Sequence, residues 1–210
     1  SSDRGMFTAV ATNAVTFARR SRVQEFKKAG LKFAQISLDG INPETHDSFR
    51  RAPGSFYRTV QGIKNCVAEG LFVELATTGT RYNISEVPRL IEFAAQLRVN
   101  WFMLYNFIPT GRGAGIAEAD LSPDEREEVL KLCWNRMKLG GVEVLSTAPQ
   151  YARVAQETEA YALIHSRERD GAGLKSESEQ AMVVPTHFYN PKFSGQLKQL
   201  AEFVGGCGAG

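Results

Sequence analysis

The sequence predicts an α/β protein of repeated strand–helix units with parallel strands, and two observations support this class. Short runs rich in β-branched and aromatic residues alternate with amphipathic stretches. Successive strand starts lie roughly 27 to 41 residues apart, an interval that fits one strand plus one crossover helix. Such units form either a doubly wound open sheet or a closed or partial barrel. The length of 210 residues indicates one domain, or two at most.

Five runs have the composition of strands: Met6–Thr12, Phe33–Leu38, Phe72–Thr78, Trp101–Asn106 and Val142–Leu145. Parallel pairing brings the carboxyl ends of such strands to one edge of the sheet. Both barrels and open α/β sheets bind their ligands beyond that edge. Polar residues that follow the strands are therefore the first candidates for a functional site.

Helix signals fall between these strands. Apolar residues recur at helical spacing from Ser55 to Glu69, and Gly70 supplies the stop. A second helix is expected to begin near Ser85. A third begins at Ser122, which is followed by proline at the first helical position. Ser122 and Glu125, three residues later, form the pattern of a capping box. After the last strand we expect a helix, a polar loop and a final helix: Tyr151–His165, Ser166–Gln180 and Leu197–Val204.

Charge and hydropathy exclude several classes of function. The net charge is +2, so no bulk field attracts nucleic acid. No apolar run approaches the ~18 residues that a membrane span needs. The 43% of hydrophobic and 23% of charged residues are typical of a globular protein. Three cysteines are too few for a disulfide scaffold, and no signal-peptide pattern precedes the first strand, so a reducing cytoplasm is the expected compartment.

The second strand ends in a candidate ligand motif, Ser37-Leu38-Asp39-Gly40. Ser37 and Asp39 are two residues apart and project from the same face. The Asp39 carboxylate can accept hydrogen bonds from a ribose diol, or it can cap the turn that leads to Pro43. Gly40 permits either a tight turn or a close approach of the backbone to a ligand.

Three other strands also end in polar residues. The first ends at Thr12 and Asn13. Arg81 follows the third strand and can bind a carboxylate bidentately or remain a solvated loop residue. The fourth strand ends at Asn106 and leads into Gly111–Gly113, where glycines flank an arginine and can bring backbone and charge to a ligand.

The cysteines and histidines carry little signal for a metal site. Cys66 and Cys133 lie on apolar helix faces and are expected to be small core residues. Cys207 lies between glycines, which suits a metal ligand, but the chain contains no Cys-x-x-Cys pair. His46 has no partner at ligand spacing and is expected to be a turn or cap residue.

Several motifs follow one another in a fixed order along nearly the whole chain. They are Ser37–Gly40, Pro43–Asp47, Phe49-Arg50, Gly54–Phe56, Gly62–Asn65, Thr78–Asn83, Pro109–Gly113 and Gly206–Gly210. This set resembles the radical S-adenosylmethionine (SAM) enzymes, and its ending resembles the start of their SPASM extension, which carries auxiliary iron–sulfur clusters. Three further segments are similar to the didecarboxysirohaem deacetylase of the alternative haem pathway: Trp101–Pro109, Ser146–Tyr151 and Pro185–Pro191.

The resemblance implies a partial (β/α)6 barrel in which cluster-bound SAM is reductively cleaved to a 5′-deoxyadenosyl radical. It places Ser37 and Asp39 beside the ribose and methionine of SAM, Arg81 near the methionine carboxylate, and Asn106–Gly111 along the adenine. Thr12 and Asn13 match the end of the family's third strand, where Ala14 replaces a frequent glycine. Cys207 matches the first ligand of an auxiliary [4Fe-4S] cluster. No catalytic residue is assigned.

One departure from the family pattern concerns the catalytic cluster. The Cys-x-x-x-Cys-x-x-Cys loop is absent from the sequence. We therefore expect an internal fragment in which the first two βα units are missing and which is inactive alone, although the full-length protein is an enzyme. Three regions are expected: a partial core barrel, a connecting substrate-side region and the start of a SPASM-type domain, at residues 1–145, 146–204 and 205–210.

The expected function is removal of acetate side chains from 12,18-didecarboxysirohaem, which gives iron-coproporphyrin in haem biosynthesis. The expected partners are a tetrapyrrole substrate and an electron donor such as ferredoxin or flavodoxin, with no nucleic acid and no membrane. Two alternatives stay open. One is a peptide-modifying enzyme of the same superfamily, and the other is a cluster-free degenerate barrel that acts as a binding module.

Overall fold

The computed structural model describes residues 7–169, in which five parallel strands form one sheet. The strands are β1 (Thr8–Thr12), β2 (Leu31–Ser37), β3 (Phe72–Gly79), β4 (Trp101–Asn106) and β5 (Glu143–Ser146). They pair in chain order, β1-β2-β3-β4-β5. Packing divides the chain into two units, Ser1–Tyr151 and Ala152–Gly210, and the whole sheet lies in the first unit.

The helices follow the strands as the repeated-unit pattern predicts. They are α1 (Arg20–Lys28), α2 (Pro43–Arg50), α3 (Ser55–Ala68), α4 (Val87–Gln96), α5 (Pro123–Leu139) and α6 (Gln150–Arg169). Short 3-10 segments occur at Thr16–Ala18, Ile84–Glu86 and Gly111–Ala119. None of the helices described within residues 7–169 is long and apolar enough to cross a bilayer.

The strand order decides between the two architectures that the sequence left open. A doubly wound sheet reverses its direction of growth at a switch point, whereas each strand of this sheet is added beside the preceding one. Because parallel crossovers are right-handed, growth in one direction puts all connecting helices on one face. Contacts of α1 and α3 with β2, of α4 with β4 and of α5 with β5 agree with this arrangement. The fold is therefore a partial barrel.

The two faces of the sheet differ in composition. Toward the helices, alternate residues are buried and apolar, and they include Ala34, Ile36, Val73, Leu75, Phe102 and Leu104. The opposite face, which we call the inner face, carries the intervening residues of β2, β3 and β4. These are Phe33, Gln35, Ser37, Phe72, Glu74, Ala76, Thr78, Trp101, Met103 and Tyr105. The helix side is thus the core, and the inner face is available for function.

Local signals explain most element boundaries. The predicted capping box is present, since the Ser122 hydroxyl accepts from the Glu125 amide (3.2 Å) and the Glu125 carboxylate accepts from the Ser122 amide (2.7 Å). α2 begins in the same manner, because the Asn42 side chain accepts from the Thr45 amide and Pro43 takes the first helical position. All five predicted strands are confirmed: β4 has the predicted bounds, and the ends of the other four shift by at most two residues.

The structure differs from the expected helices at four places. The helix expected near Ser85 begins at Val87, after a 3-10 turn, and α6 continues to Arg169, beyond the expected start of a loop at Ser166. α1 and α2 were not predicted, because each buries a single side chain, Val23 or His46, and so gives no apolar stripe. The expected final helix near Leu197–Val204 lies outside the described residues.

Candidate cofactor site

The carboxyl ends of the five strands meet along one side of the sheet, which we call the carboxyl edge. It is formed by Thr12, Ser37, Gly79, Asn106 and Ser146. The strand register places Ser37 beside Ala76 and Gly79 beside Asn106. The edge therefore brings together residues that are far apart in the sequence, as parallel pairing predicts.

Three side chains at this edge have polar groups with no hydrogen-bond partner among residues 7–169. They belong to Ser37, Thr78 and Asn106, and all three are half-buried. Partly buried polar groups are normally satisfied by protein, water or ligand, so these three are available to a bound molecule. Ser37 and Asn106 were predicted from the sequence. Thr78 was missed as a site residue, although it ends the predicted third strand.

Asp39 is completely buried, and both of its carboxylate oxygens are hydrogen-bonded to protein. The Thr78 amide donates to Oδ1 at 2.8 Å, and the Arg50 Nε donates to Oδ2 in an ion pair. This partnership ties the ends of β2 and β3 to α2. Sequence reasoning missed Arg50 because a contact across eleven positions, from a strand end to a helix end, leaves no spacing signal.

Side chains of the following loops reinforce this junction. The Asn83 amide donates to the carbonyl oxygens of both Asp39 and Thr78, and the Thr77 hydroxyl donates to the Leu38 carbonyl. The Glu86 carboxylate accepts from the Ile41 amide and from the side chains of Asn42 and Thr45. The two strand ends are thus fixed relative to each other before any ligand binds.

Gly40 and His46 have structural roles in the same junction. A Cβ on Gly40 would lie 2.6 Å from the His46 amide nitrogen and 2.7 Å from the Thr45 Cβ, so the close approach at Gly40 is to α2 and not to a ligand. His46 is buried, and its Nδ1 accepts a hydrogen bond from the Asp39 amide at 3.1 Å. Burial lowers the pKa of His46, which keeps the imidazole neutral and able to accept.

Thr12 and Asn13 shape the turn after β1. The Thr12 hydroxyl accepts from the Ala14 amide at 3.0 Å, and the Asn13 side chain accepts from the Val15 amide at 3.1 Å. Ala14 has a φ of 55°, which explains why glycine is frequent at this position in the family that the sequence resembles. The Ala14 backbone in turn packs against Gly62 of α3, where a Cβ would lie 2.5 Å from the Ala14 oxygen.

Arg81 and Gly111 lie in the loops that follow β3 and β4. The Arg81 guanidinium is exposed and pairs with Glu125 at 3.1 Å, and it also donates to the Glu118 carbonyl at 3.0 Å. Gly111 has a φ of 54° and opens the 3-10 segment, with no atom near the position of a Cβ. A carboxylate ligand would have to replace Glu125 as the partner of Arg81.

The inner face holds a polar cluster that sequence reasoning missed. The Gln35 amide donates to the Tyr105 hydroxyl oxygen, and the Tyr105 hydroxyl donates to Glu74 Oε1 at 3.3 Å. Glu74 is 4% exposed, and burial raises its pKa to about 7. In the next strands, the Trp101 indole donates to Glu143 at 3.2 Å, and burial raises the pKa of Glu143 as well.

The described cysteines do not fit an iron–sulfur cluster. Cys66 and Cys133 are buried in α3 and α5, and burial raises the pKa of both thiols to about 12, whereas a cluster binds thiolates. No group of three His, Cys, Asp or Glu residues that could hold a metal occurs within residues 7–169. Both cysteines are core residues, as predicted, and Cys207 lies outside the described residues.

A family model described as the Radical SAM superfamily matches residues 2–94, which include β1 to β3 and the Asp39 junction. This part of the chain is therefore similar to the radical SAM superfamily. The solved domain of a pyruvate-formate lyase-activating enzyme from Bacteroides vulgatus has the same fold. It superposes with a TM-score of 0.54 at 13% identity and covers 70% of this chain and 84% of that domain.

Two curated relatives from Methanosarcina barkeri are similar to this chain. AdoMet-dependent heme synthase is 31% identical over 156 residues, which cover 74% of this chain and 44% of that protein. Fe-coproporphyrin III synthase is 30% identical over 136 residues, which cover 65% of this chain and 34% of that protein. The chain thus spans less than half the length of the curated relatives that it matches.

Proposed function

We propose that this chain is the SAM-binding and substrate-binding part of a haem-biosynthesis enzyme. In this proposal the enzyme generates a 5′-deoxyadenosyl radical and removes acetate side chains from 12,18-didecarboxysirohaem, which gives iron-coproporphyrin. The observation that carries the proposal is the carboxyl edge, where Ser37, Thr78 and Asn106 have polar groups with no partner within residues 7–169. Similarity to a relative named Fe-coproporphyrin III synthase supports a tetrapyrrole substrate.

The proposal divides the predicted site residues into two groups. Ser37 and Asn106 contact SAM, because their side chains have no protein partner in the described part of the chain. Asp39 acts from behind the site, since both of its carboxylate oxygens are occupied and it fixes the end of β2 against β3. Thr12, Asn13, Arg81 and Gly111 shape the ends of the neighbouring strands and are expected to line the same site.

The chemistry of the proposed reaction comes from SAM and a [4Fe-4S] cluster, while the protein binds and orients the reactants and excludes water. The ligands of the catalytic cluster are not among the described residues, so no step is assigned to them. We place the first auxiliary-cluster ligand at Cys207. An electron donor such as ferredoxin or flavodoxin supplies the reducing electron, in keeping with the reducing cytoplasm expected from the sequence.

A second candidate is the reaction of the other relative, synthesis of haem. The observation that favours it is the alignment with AdoMet-dependent heme synthase, which covers 74% of this chain against 65% for Fe-coproporphyrin III synthase. Haem carries two vinyl groups where coproporphyrin carries propionates, so iron-coproporphyrin is the substrate to test. Both candidates need a site for a large conjugated ring.

Turnover by the protein produced from its whole reading frame tests these proposals. The protein is reconstituted anaerobically with iron and sulfide, reduced, and given SAM with either tetrapyrrole. The first candidate predicts 5′-deoxyadenosine together with iron-coproporphyrin formed from 12,18-didecarboxysirohaem, and the second predicts haem formed from iron-coproporphyrin. SAM cleavage with both tetrapyrroles unchanged would favour a peptide-modifying enzyme. Absence of both iron uptake and SAM cleavage would favour the cluster-free binding module.

A further inference from the structure

Tyr105 is anchored at its hydroxyl by two side chains of other strands. The Gln35 side-chain amide donates to the phenol oxygen, which leaves the phenol proton free to donate to Glu74 Oε1 at 3.3 Å. The phenol is thus bonded to both neighbours, one on β2 and one on β3. This pattern fixes the side chain far more firmly than packing of an unbonded ring would.

The register determines how this side chain runs along the inner face. Tyr105 pairs with Thr78 at the carboxyl end of β3, whereas Glu74 pairs with Gln35 four residues closer to the amino end. Four residues of strand span about 13 Å, so Tyr105 and Glu74 extend toward each other along the sheet. Ala76 lies between them on β3, and its methyl group leaves room for the contact. The Tyr105 ring therefore lies along the inner face just inside the carboxyl edge.

The carboxyl group of Glu74 destabilises the fold at this position. It is 4% exposed, and its hydrogen-bond partners Tyr105 and Gln35 are neutral. No arginine, lysine or histidine forms an ion pair with it within residues 7–169. Burial of an acid among neutral groups destabilises a fold, and an apolar residue of equal volume would pack without that cost. The sequence nevertheless places there a side chain whose oxygen accepts the phenol hydrogen bond.

The surroundings of Tyr105 are those of a ligand site. Ser37, Thr78 and Asn106 lie along the same edge with polar groups that have no partner in residues 7–169, and Met103 lies half-buried in the next row of the inner face. An aromatic ring and a methionine beside a few convergent polar groups are typical of sites for small organic ligands. Tyr105 itself is half-buried, so part of its surface is open.

We propose that the Tyr105 ring is a contact surface for a planar conjugated ring bound at the carboxyl edge, and that Gln35 and Glu74 are positioning residues that hold it. The inference rests on the proposed function in one respect: a tetrapyrrole and the adenine of SAM are the two conjugated rings that such an enzyme binds. Tyr105 contacts the ligand, whereas Gln35 and Glu74 act through Tyr105.

Binding without turnover tests this proposal, so its outcome is independent of which reaction the enzyme catalyses. The protein from the whole reading frame is titrated with iron-coproporphyrin, followed by absorbance and tryptophan quenching, and with SAM, followed by calorimetry. Tyr105→Leu should weaken the binding of at least one ligand about tenfold, because a lost aromatic contact costs about 1.4 kcal/mol. Weakening of iron-coproporphyrin alone assigns the ring to the tetrapyrrole, and weakening of SAM alone assigns it to adenine.

The positioning role is tested by two substitutions of Glu74 that differ in hydrogen bonding. Glu74→Gln keeps a partner for the phenol and should bind like the wild type. Glu74→Leu removes the partner. It should weaken binding of the same ligand that Tyr105→Leu affects by roughly threefold, the low end of what one hydrogen bond contributes. The same substitution should raise the melting temperature. If Glu74 had only a structural role, ligand affinity would rise and fall together with the melting temperature of the variants. Tyr57→Leu, at a 67% exposed tyrosine of α3, is the matched control and should change nothing.

Three results would overturn the proposal. The first is that Tyr105→Leu binds both ligands like the wild type while its circular dichroism spectrum shows that it is folded. The second is that neither ligand binds to the wild-type protein. The third is that Glu74→Leu binds as tightly as Glu74→Gln, which would leave Tyr105 without positioning residues. Failure of turnover in the presence of normal ring binding would instead count against the proposed reaction alone.

Discussion

The buried ion pair between Asp39 and Arg50 is predicted to dominate the stability of the carboxyl edge. Asp39 is fully buried, and its carboxylate accepts from the Thr78 amide at 2.8 Å and from Arg50. Asp39→Ala removes both acceptors and leaves the Thr78 amide without its partner. The variants Asp39→Ala, Asp39→Asn, Arg50→Met and the double variant Asp39→Asn/Arg50→Met separate these contributions.

The magnitude follows from the two hydrogen bonds and the degree of burial. Hydrogen bonds to charged groups contribute about 1.5 to 3 kcal/mol each, and breaking a buried ion pair costs about 3 to 5 kcal/mol. Because the Arg50 side chain is 33% exposed, water partly solvates its charge when Asp39 is removed, so we expect the lower end. Asp39→Ala should therefore lower the free energy of unfolding by about 3 kcal/mol. The double-mutant cycle should give a coupling energy of about 2 kcal/mol.

Urea denaturation at neutral pH, followed by circular dichroism and tryptophan fluorescence, measures these free energies. Asp124→Asn is the control, because Asp124 is an exposed carboxylate in the first turn of α5 and should cost no more than about 0.5 kcal/mol. A loss below about 1 kcal/mol for Asp39→Ala, or a coupling energy near zero, would refute the view that this pair holds the edge together.

Three further predictions concern the same fold. Gly40→Ala should lower the free energy of unfolding by about 1 to 3 kcal/mol, because its Cβ would lie 2.6 Å from a backbone nitrogen of α2; Gly115→Ala, which meets no atom, should be neutral. Burial raises the pKa of Glu74 from 4.5 to about 7, so Glu74 loses its proton at a lower pH in the unfolded state than in the folded state. Between pH 4 and pH 8 the free energy of unfolding of the wild type should therefore fall by about 3 kcal/mol relative to that of Glu74→Gln. Parallel curves of this free energy against pH would contradict the prediction. Ser122→Ala should cost about 1 kcal/mol in chemical denaturation by removing the capping box of α5, whereas Ser85→Ala should have little effect.

The sequence was sufficient to predict the sheet, because its strands are short, apolar and evenly separated by strong helix signals. The capping box at Ser122 predicted the start of α5 to the residue. Strand order was not predictable from periodicity, since a barrel and an open sheet use the same repeated unit. α1 and α2 were missed because each buries one side chain only, which leaves no apolar stripe to detect.

The candidate site was predictable in position but not in the role of each residue. The sequence predicted that Ser37 and Asn106 lie along one edge, because parallel pairing brings the carboxyl ends of strands together. The sequence left two roles open for Asp39, and burial with Arg50 and the Thr78 amide places it inside the protein. The contacts of Tyr105 with Gln35 and Glu74 depend on the register of three strands and on side-chain direction, and neither is encoded in local spacing.

In the proposed function, the carboxyl edge binds SAM through Ser37 and Asn106, whose side chains have no partner among residues 7–169. The most direct measurement is calorimetric binding of SAM to the reconstituted protein from the whole reading frame, with Ser37→Ala and Asn106→Ala. Two exposed residues supply matched controls, Ser48→Ala in α2 and Asn135→Ala in α5. Each site variant should weaken SAM binding about threefold to tenfold, the effect expected from the loss of one hydrogen bond. The control variants should bind SAM like the wild type. Wild-type affinity in both site variants would contradict the claim.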